Sequence, residues 1–195
     1  MRTIKKVASH IFIDGFGGMT QGLFATLIIG TMIQQIGLLI GGSTGNVIYL
    51  LGKAAAALTS AGIGVGVAVK YGESPLVTVS AAVAAMVGGY AGKITGGTFF
   101  VDGNAVLAGP GEPLGAFIAA FAGITCGHLV SGKTKVDIIV TPVITIGAGS
   151  VVGLLVGPPI SQMMTGLGSI INWATEQRPF IMGIVVSVVM GMVLT

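Results

Sequence analysis

Between Asp14 and Lys53, and again between Asp137 and Glu176, the chain carries not one Asp, Glu, Lys or Arg. Uncharged stretches of that length limit what it can fold into more than any motif does. Charged residues make up only 8% of the 195 positions and hydrophobic ones 53%, with a mean hydropathy of +0.98. A soluble domain carries roughly 25% charge, and this chain has too few charges to cover a water-facing surface. Lipid removes the need. A spanning helix takes about 20 largely apolar residues, so the expected fold is an all-α membrane protein, a polytopic glycine-rich helix bundle. The length allows about six to seven transmembrane segments in a single transmembrane domain over 1–195.

The boundaries follow from charges, glycines and prolines. A basic head (Arg2, Lys5, Lys6) precedes a first span over Gly17–Ile40, with an irregular start around Asp14, Gly15, Gly17 and Gly18. Without a convincing cleavage site it reads as a retained span rather than a signal peptide. An uncharged turn is expected over Gly41–Asn46, and further spans over Val47–Val69, Leu76–Gly92, Leu114–Val130 and Ile138–Val156. Pro158 and Pro159 are expected to end the fifth. Ile160–Ala174 could then span, lie at the interface or re-enter. The last apolar run, Phe180–Thr195, is shorter than a normal span, so the domain is expected to continue past Thr195.

The 34 glycines show no collagen period. The runs Gly37–Gly41–Gly45 and Gly149–Gly153–Gly157 have the i+4 spacing that lets helices approach closely in a membrane; some glycines could instead break helices around a substrate path. The single Cys126 can form no disulfide within the chain, and no metal spacing or cofactor motif is present. The net charge of +3 reflects orientation rather than a nucleic-acid surface. Lysine and arginine concentrate in the N-terminal head and in the Lys70 and Lys133–Lys135 loops, which places the N-terminus in the cytoplasm.

No soluble-enzyme motif occurs: no GxSxG, no HExxH, no Walker lysine. The informative residues are ionisable groups near membrane depth, which are expensive to place there. Lys93–Pro113 is Gly-rich and too polar for a lipid-facing span, and it holds Asp102, Asn104 and Glu112 between apolar runs. Irregular backbone at membrane depth survives only where protein buries it or a wet cavity contacts it, so the segment is expected to fold back and re-enter. Its carboxylates could accept hydrogen bonds from sugar hydroxyls. The simpler reading is an extracellular loop in which Glu112 sits at a helix start ahead of Pro113. His128 is either a helix C-terminal residue favoured by the dipole or a substrate contact. The candidate substrate-binding residues are Glu112, Asp102, Asn104 and His128, with no catalytic or metal residue among them.

Three stretches carry a family resemblance: Gly111-Glu-Pro-Leu-Gly-Ala-Phe117, Gly127-His-Leu-Val-Ser-Gly-Lys-Thr-Lys-Val-Asp-Ile-Ile-Val-Thr-Pro142, and the run Pro179–Thr195. The chain resembles, over essentially its whole length, the bacterial phosphotransferase-system sugar permease subunit IIC family, some of whose members go under the name of perfringolysin-regulator-type toxin regulators. The resemblance implies a multi-pass protein of the bacterial inner membrane that binds and translocates a small hydroxylated substrate. It implies no cofactor, lipid around the chain, cytoplasmic IIB and IIA partners, and room for a homodimer. Relatives hold a sugar hydroxyl with a Glu before Pro in a Gly-rich re-entrant segment, and Glu112-Pro113 is similar in kind. No IIA histidine or IIB cysteine domain is visible, so the chain alone should not phosphorylate anything. The alternative the sequence leaves open is a membrane sensor or regulator without transport, its function carried by the Lys133–Asp137 loop.

Overall fold

The computed structural model describes residues 10–101, 104–107, 109–175, 183, 187 and 188. Helix α1 runs unbroken over residues 10–40, with π-helical turns at His10–Gly15 and Phe24–Ile28. The first of these falls where Asp14 and the glycines predicted an irregular start. The chain then reverses on two glycines. Gly41 has φ +66° and ψ −176°, a conformation that a side chain would strain, and α2 (Gly42–Ala57) begins at the next position. Gly42, at φ +65°, shares the corner, so the six-residue turn expected over Gly41–Asn46 is a pair of glycines.

The expected second span is two helices. α2 and α3 (Thr59–Lys70) meet at Leu58 with a bend of 52°. A broken helix frees carbonyls that lipid cannot satisfy. Here the Thr59 hydroxyl donates to the Ala56 carbonyl at 2.6 Å, and the Tyr90 phenol donates to that of Ala57 at 3.2 Å.

α4 (Pro75–Gly89) starts where sequence rules place it: Ser74 Oγ accepts from the Val77 amide at 3.4 Å, and Pro75 takes the first helical position. A short α5 (Ala91–Thr95) leads into two two-residue strands, β1 (Phe100–Val101) and β2 (Asn104–Ala105). They pair antiparallel, Phe100 opposite Ala105 and Val101 opposite Asn104. α6 (Pro113–Val130) again opens on a proline. α7 (Asp137–Thr175) is secured at its start by Asp137, whose Oδ1 accepts from the Gly132 amide (2.9 Å) and the Thr141 hydroxyl (2.6 Å).

α7 overturns one expectation. Pro142, Pro158 and Pro159 all lie inside this one 39-residue helix, so Pro158-Pro159 does not end a span and Ile160–Ala174 is not a separate segment. In water the missing amides would favour a stop. In lipid a stop exposes more unpaired backbone than a continued helix does. α7 is also held on both sides of the proline pair: Gly157 lies against Ala91 before it, and Ser161 against Gly92 after it.

Packing is by small residues. α1 lies antiparallel to α2 and α3 through Gly37 with Gly45, Gly30 with Gly52, Gly22 with Gly62, and Gly18 with Gly66. A Cβ added at Gly18 would stand 2.6 Å from the Gly66 carbonyl oxygen, and one at Gly30 2.8 Å from the Ala56 amide nitrogen. Gly149 would meet the Ala119 carbonyl oxygen at 2.6 Å. The run Gly149–Gly153–Gly157 is thus one packing face. The run Gly37–Gly41–Gly45 is instead the corner of a hairpin.

The interior is lined by Ala81, Ala84, Ala85, Ala116, Ala119 and Ala120 with Val67, Val77, Ile63 and Ile124, while Leu39, Ile138 and Leu155 are among the most exposed side chains. Small residues inside and large apolar ones outside is the pattern of a bundle solvated by lipid. Among the described residues three helices are long and apolar enough to cross a membrane (Ile13–Ile40, Pro113–Val130, Asp137–Trp173), or four if the bent pair α2–α3 counts as one span. The expected run Phe180–Thr195 falls largely outside the described residues.

Candidate functional site

The helix ends sort the polar residues onto two faces. Gly18 packs on Gly66, Glu73 pairs with His128, and Ser74 bonds Ser131, so Lys70, Glu73, His128, Lys133 and Asp137 share one end of the bundle. Tyr90, Lys93 and Glu112 share the other.

At this second end the segment after α5 returns as a short arm, Gly109-Pro110-Gly111, that docks against the bundle. The Ser60 hydroxyl donates to the Pro110 carbonyl at 2.9 Å. The Tyr90 phenol donates to the Gly109 carbonyl. The Glu112 amide donates to the Gly89 carbonyl at 2.7 Å. Gly111, at φ +76°, is fixed as glycine twice over, because a Cβ there would also stand 2.5 Å from Ser60 Oγ. The expectation that Lys93–Pro113 folds back thus holds for the arm, while Asn104–Leu107 remain exposed.

The arm closes one side of a cleft of about 380 Å³ lined by Gly89, Gly92, Lys93, Gly109, Pro110, Gly111, Glu112 and Ser161. Five of these eight are glycine or proline, so backbone amides and carbonyls line much of the wall. Three side chains add chemistry: an ammonium, a carboxylate and the hydroxyl of Ser161 from α7. Glu112 is half-buried and precedes α6 as its cap residue, yet its carboxylate makes no capping bond. Burial pushes its carboxyl above the usual range, and the positive charge of Lys93 pulls it partly back. Lys93 Nζ also lies 5.3 Å from the Tyr90 ring centroid, and Tyr90 packs on Phe99 at 5.4 Å. A carboxylate, a cation, a hydroxyl and backbone polar groups around a small cleft suit a neutral, hydroxyl-bearing molecule.

The four candidate residues do not converge. Asn104 is exposed on β2, on the Glu112 side. Asp102 lies outside the described residues. His128 is sixteen positions along from Glu112, so about 24 Å away at the far end of α6. There its Nδ1 meets Glu73 at 3.0 Å (Oε1) and 3.2 Å (Oε2), tying the α3–α4 turn to the end of α6. With the imidazole 69% exposed, such a pair contributes under about 1 kcal/mol. A second tie, Ser74 Oγ to Ser131 Oγ at 3.0 Å, joins the same two loops. His128 belongs to this clip rather than to the cleft.

Ser60, Tyr90 and Ser161 were absent from the sequence candidates. Hydroxyls in apolar helices look like packing residues, and nothing local marks the one that lines the cleft or the two that bond its arm. Lys93 entered the sequence reading only as the first residue of the Gly-rich segment.

Among the described residues no cluster of His, Cys, Asp or Glu could hold a metal ion. No curated protein and no solved structure matches the chain. The family model described as phosphotransferase system, EIIC, matches residues 13–195. With apolar helices built to cross a membrane and nearly its whole length matched, the chain belongs to the phosphotransferase system EIIC family, the membrane permease components of sugar transport.

Proposed function

We propose that the cleft beside Glu112 is where this permease takes up its sugar, with Glu112 as the main hydroxyl acceptor and Ser161, Asn104 and the arm backbone as further polar contacts. The observation that carries the reading is a half-buried carboxylate, without a capping bond, in a cleft whose other walls are backbone, a lysine and a serine. IIB and IIA proteins would act from the opposite, basic end, and lipid would cover the apolar flanks. Thermal stabilisation of the detergent-solubilised protein across a panel of hexoses, hexitols and disaccharides tests the reading. At least one sugar should raise the melting temperature in a saturable way. A flat response across the panel would favour a sensor or regulator without transport.

The topology that fits this reading has the N-terminus and the Ser131–Asp137 loop in the cytoplasm. Six crossings result if α1, the α2–α3 pair, α4, α6, α7 and the final apolar run each cross once. Because α7 is continuous, Arg178 then follows it to the outside, and the lysine and arginine bias still favours the inside. The clustering of Lys70 and Lys133 at one end supports the same side for both. Single cysteines placed at Ser131 or Thr134, in a Cys126→Ser background, should resist a membrane-impermeant maleimide in intact cells of a bacterial inner-membrane expression host. Efficient labelling there would reverse the orientation.

A further inference from the structure

Five serines and threonines are buried in the described part of the bundle: Thr59, Ser60, Ser80, Thr141 and Thr145. Four of them bond at home. Thr59 donates to Ala56, Ser80 to Leu76, Thr145 to Thr141, and Thr141 to the Asp137 side chain four residues back. Ser60 does not. It reaches fifty residues along the chain to the Pro110 carbonyl at 2.9 Å. Tyr90, 1% exposed, behaves likewise: its one phenolic proton is shared between the carbonyl of Gly109, in the arm, and that of Ala57, left open by the α2–α3 break.

We propose that Ser60 and Tyr90 are positioning residues: they fasten the Gly109–Gly111 arm to the break between α2 and α3, so that the geometry of this break sets how deep the Glu112 carboxylate sits in the cleft. Without them the arm has little to hold it. Two of its three residues are glycines at positive φ (Gly109 +80°, Gly111 +76°), and Asn104–Leu107 before it are exposed. The Glu112 amide bonds Gly89 instead, on the α4 side of the cleft. Both positioning groups converge on residues 57–60, the one place where the α2–α3 rod is bent. A change in that bend must therefore draw on the arm. The consequence for sugar binding rests on the role proposed for Glu112; the fastening itself can be measured with no sugar present.

Hydrogen–deuterium exchange on the full chain in detergent is the test. Tyr90→Phe keeps the ring against Phe99 and Lys93 and removes only the shared proton. It should speed amide exchange about fivefold, the size expected from one lost hydrogen bond, both at residues 109–112 and at 57–60. Ser60→Ala should speed exchange at 109–112, and it stands in if Tyr90→Phe folds poorly. Glu112→Gln should speed neither segment. In parallel, carboxyl-13C spectra of the three glutamates, assigned by the loss of one signal in Glu112→Gln, should show the Glu112 titration falling back toward the ordinary carboxylate range in Tyr90→Phe. Unchanged exchange at 109–112 in both variants overturns the proposal. Faster exchange at 109–112 without any change at 57–60 in Tyr90→Phe overturns the coupling, and a uniform rise across α4 and α6 marks general loosening and overturns it too. If Glu112→Gln leaves sugar binding intact, the binding reading falls while the exchange result still decides the fastening.

Discussion

Replacing Gly88 by valine should destabilise the bundle by about 3 kcal/mol, the upper end of ordinary overpacking. Three helices meet at this residue. A Cβ on Gly88 would run into Ala119 Cβ and the Gly115 carbonyl of α6. Coming the other way, a Cβ on Gly153 of α7 would stand 2.8 Å from Gly88 Cα, and one on Gly115 2.6 Å from the Gly88 carbonyl oxygen. No flexible side-chain end is available to move aside for the backbone contacts, so the helices themselves must separate. Separation costs dispersion contacts along their whole length, and small-residue packing of this kind is what holds helices together in lipid. The same helix α7 supplies the control. Gly147 is exposed and has nothing within 4 Å of an added Cβ, so Gly147→Ala should be neutral or stabilising by up to about 1 kcal/mol, the helix preference for alanine over glycine. SDS titration measures both, with the reactivity of the single half-buried thiol, Cys126, as the reporter of unfolding. Equal stability of Gly88→Val and wild type would mean that α4, α6 and α7 are not in close register at this point.

Glu112→Gln should weaken sugar binding ten- to a hundredfold. A hydrogen bond from a sugar hydroxyl to a buried carboxylate contributes roughly 1.5–3 kcal/mol, and about 1.4 kcal/mol is a factor of ten. Glutamine keeps the shape and removes the charge. Folding should change little, because the side chain makes no capping bond and a carboxylate at a helix start contributes only about 0.3–1 kcal/mol through the dipole.

Two pH effects accompany this. The raised carboxyl is the acceptor only when ionised, so wild-type affinity should fall as pH drops through the Glu112 titration, and the variant should lose that dependence. Stability runs the opposite way. A carboxyl held above its unfolded value favours the fold below the unfolded carboxylate range, roughly pH 4.3, and that contribution disappears as pH rises through the folded value. Glu112→Gln should flatten this slope as well. Calorimetric titration with the sugar that stabilises most in the panel, beside melting curves across pH 4–8, reads all four. Equal affinity with a lowered melting temperature would make Glu112 a helix-start residue and move the sugar elsewhere.

Residues close along the chain made much of the fold legible. Ser74-Pro75, Glu112-Pro113 and Asp137 each open a helix where their local chemistry says one should begin. The uncharged stretches identified lipid as the solvent, and the glycine spacing of Gly149–Gly153–Gly157 marked a real packing face. These signals act within a turn or two of helix, through a cap, a missing amide or an absent Cβ, so a linear reading captures them.

Tertiary structure decided the rest. It alone let α7 pass through Pro158 and Pro159, since in lipid the neighbours of a proline, not its missing amide, determine whether a helix stops. It placed His128 on a clip with Glu73, far from Glu112, because α6 is a rigid rod that sets its two ends apart. And it made a cleft from Lys93, Glu112 and Ser161, with Ser60 and Tyr90 bonded to the arm that closes it, residues separated by up to about a hundred positions. Their chemistry in the sequence is that of ordinary small or polar side chains, and it becomes a site only where antiparallel helices bring their ends together.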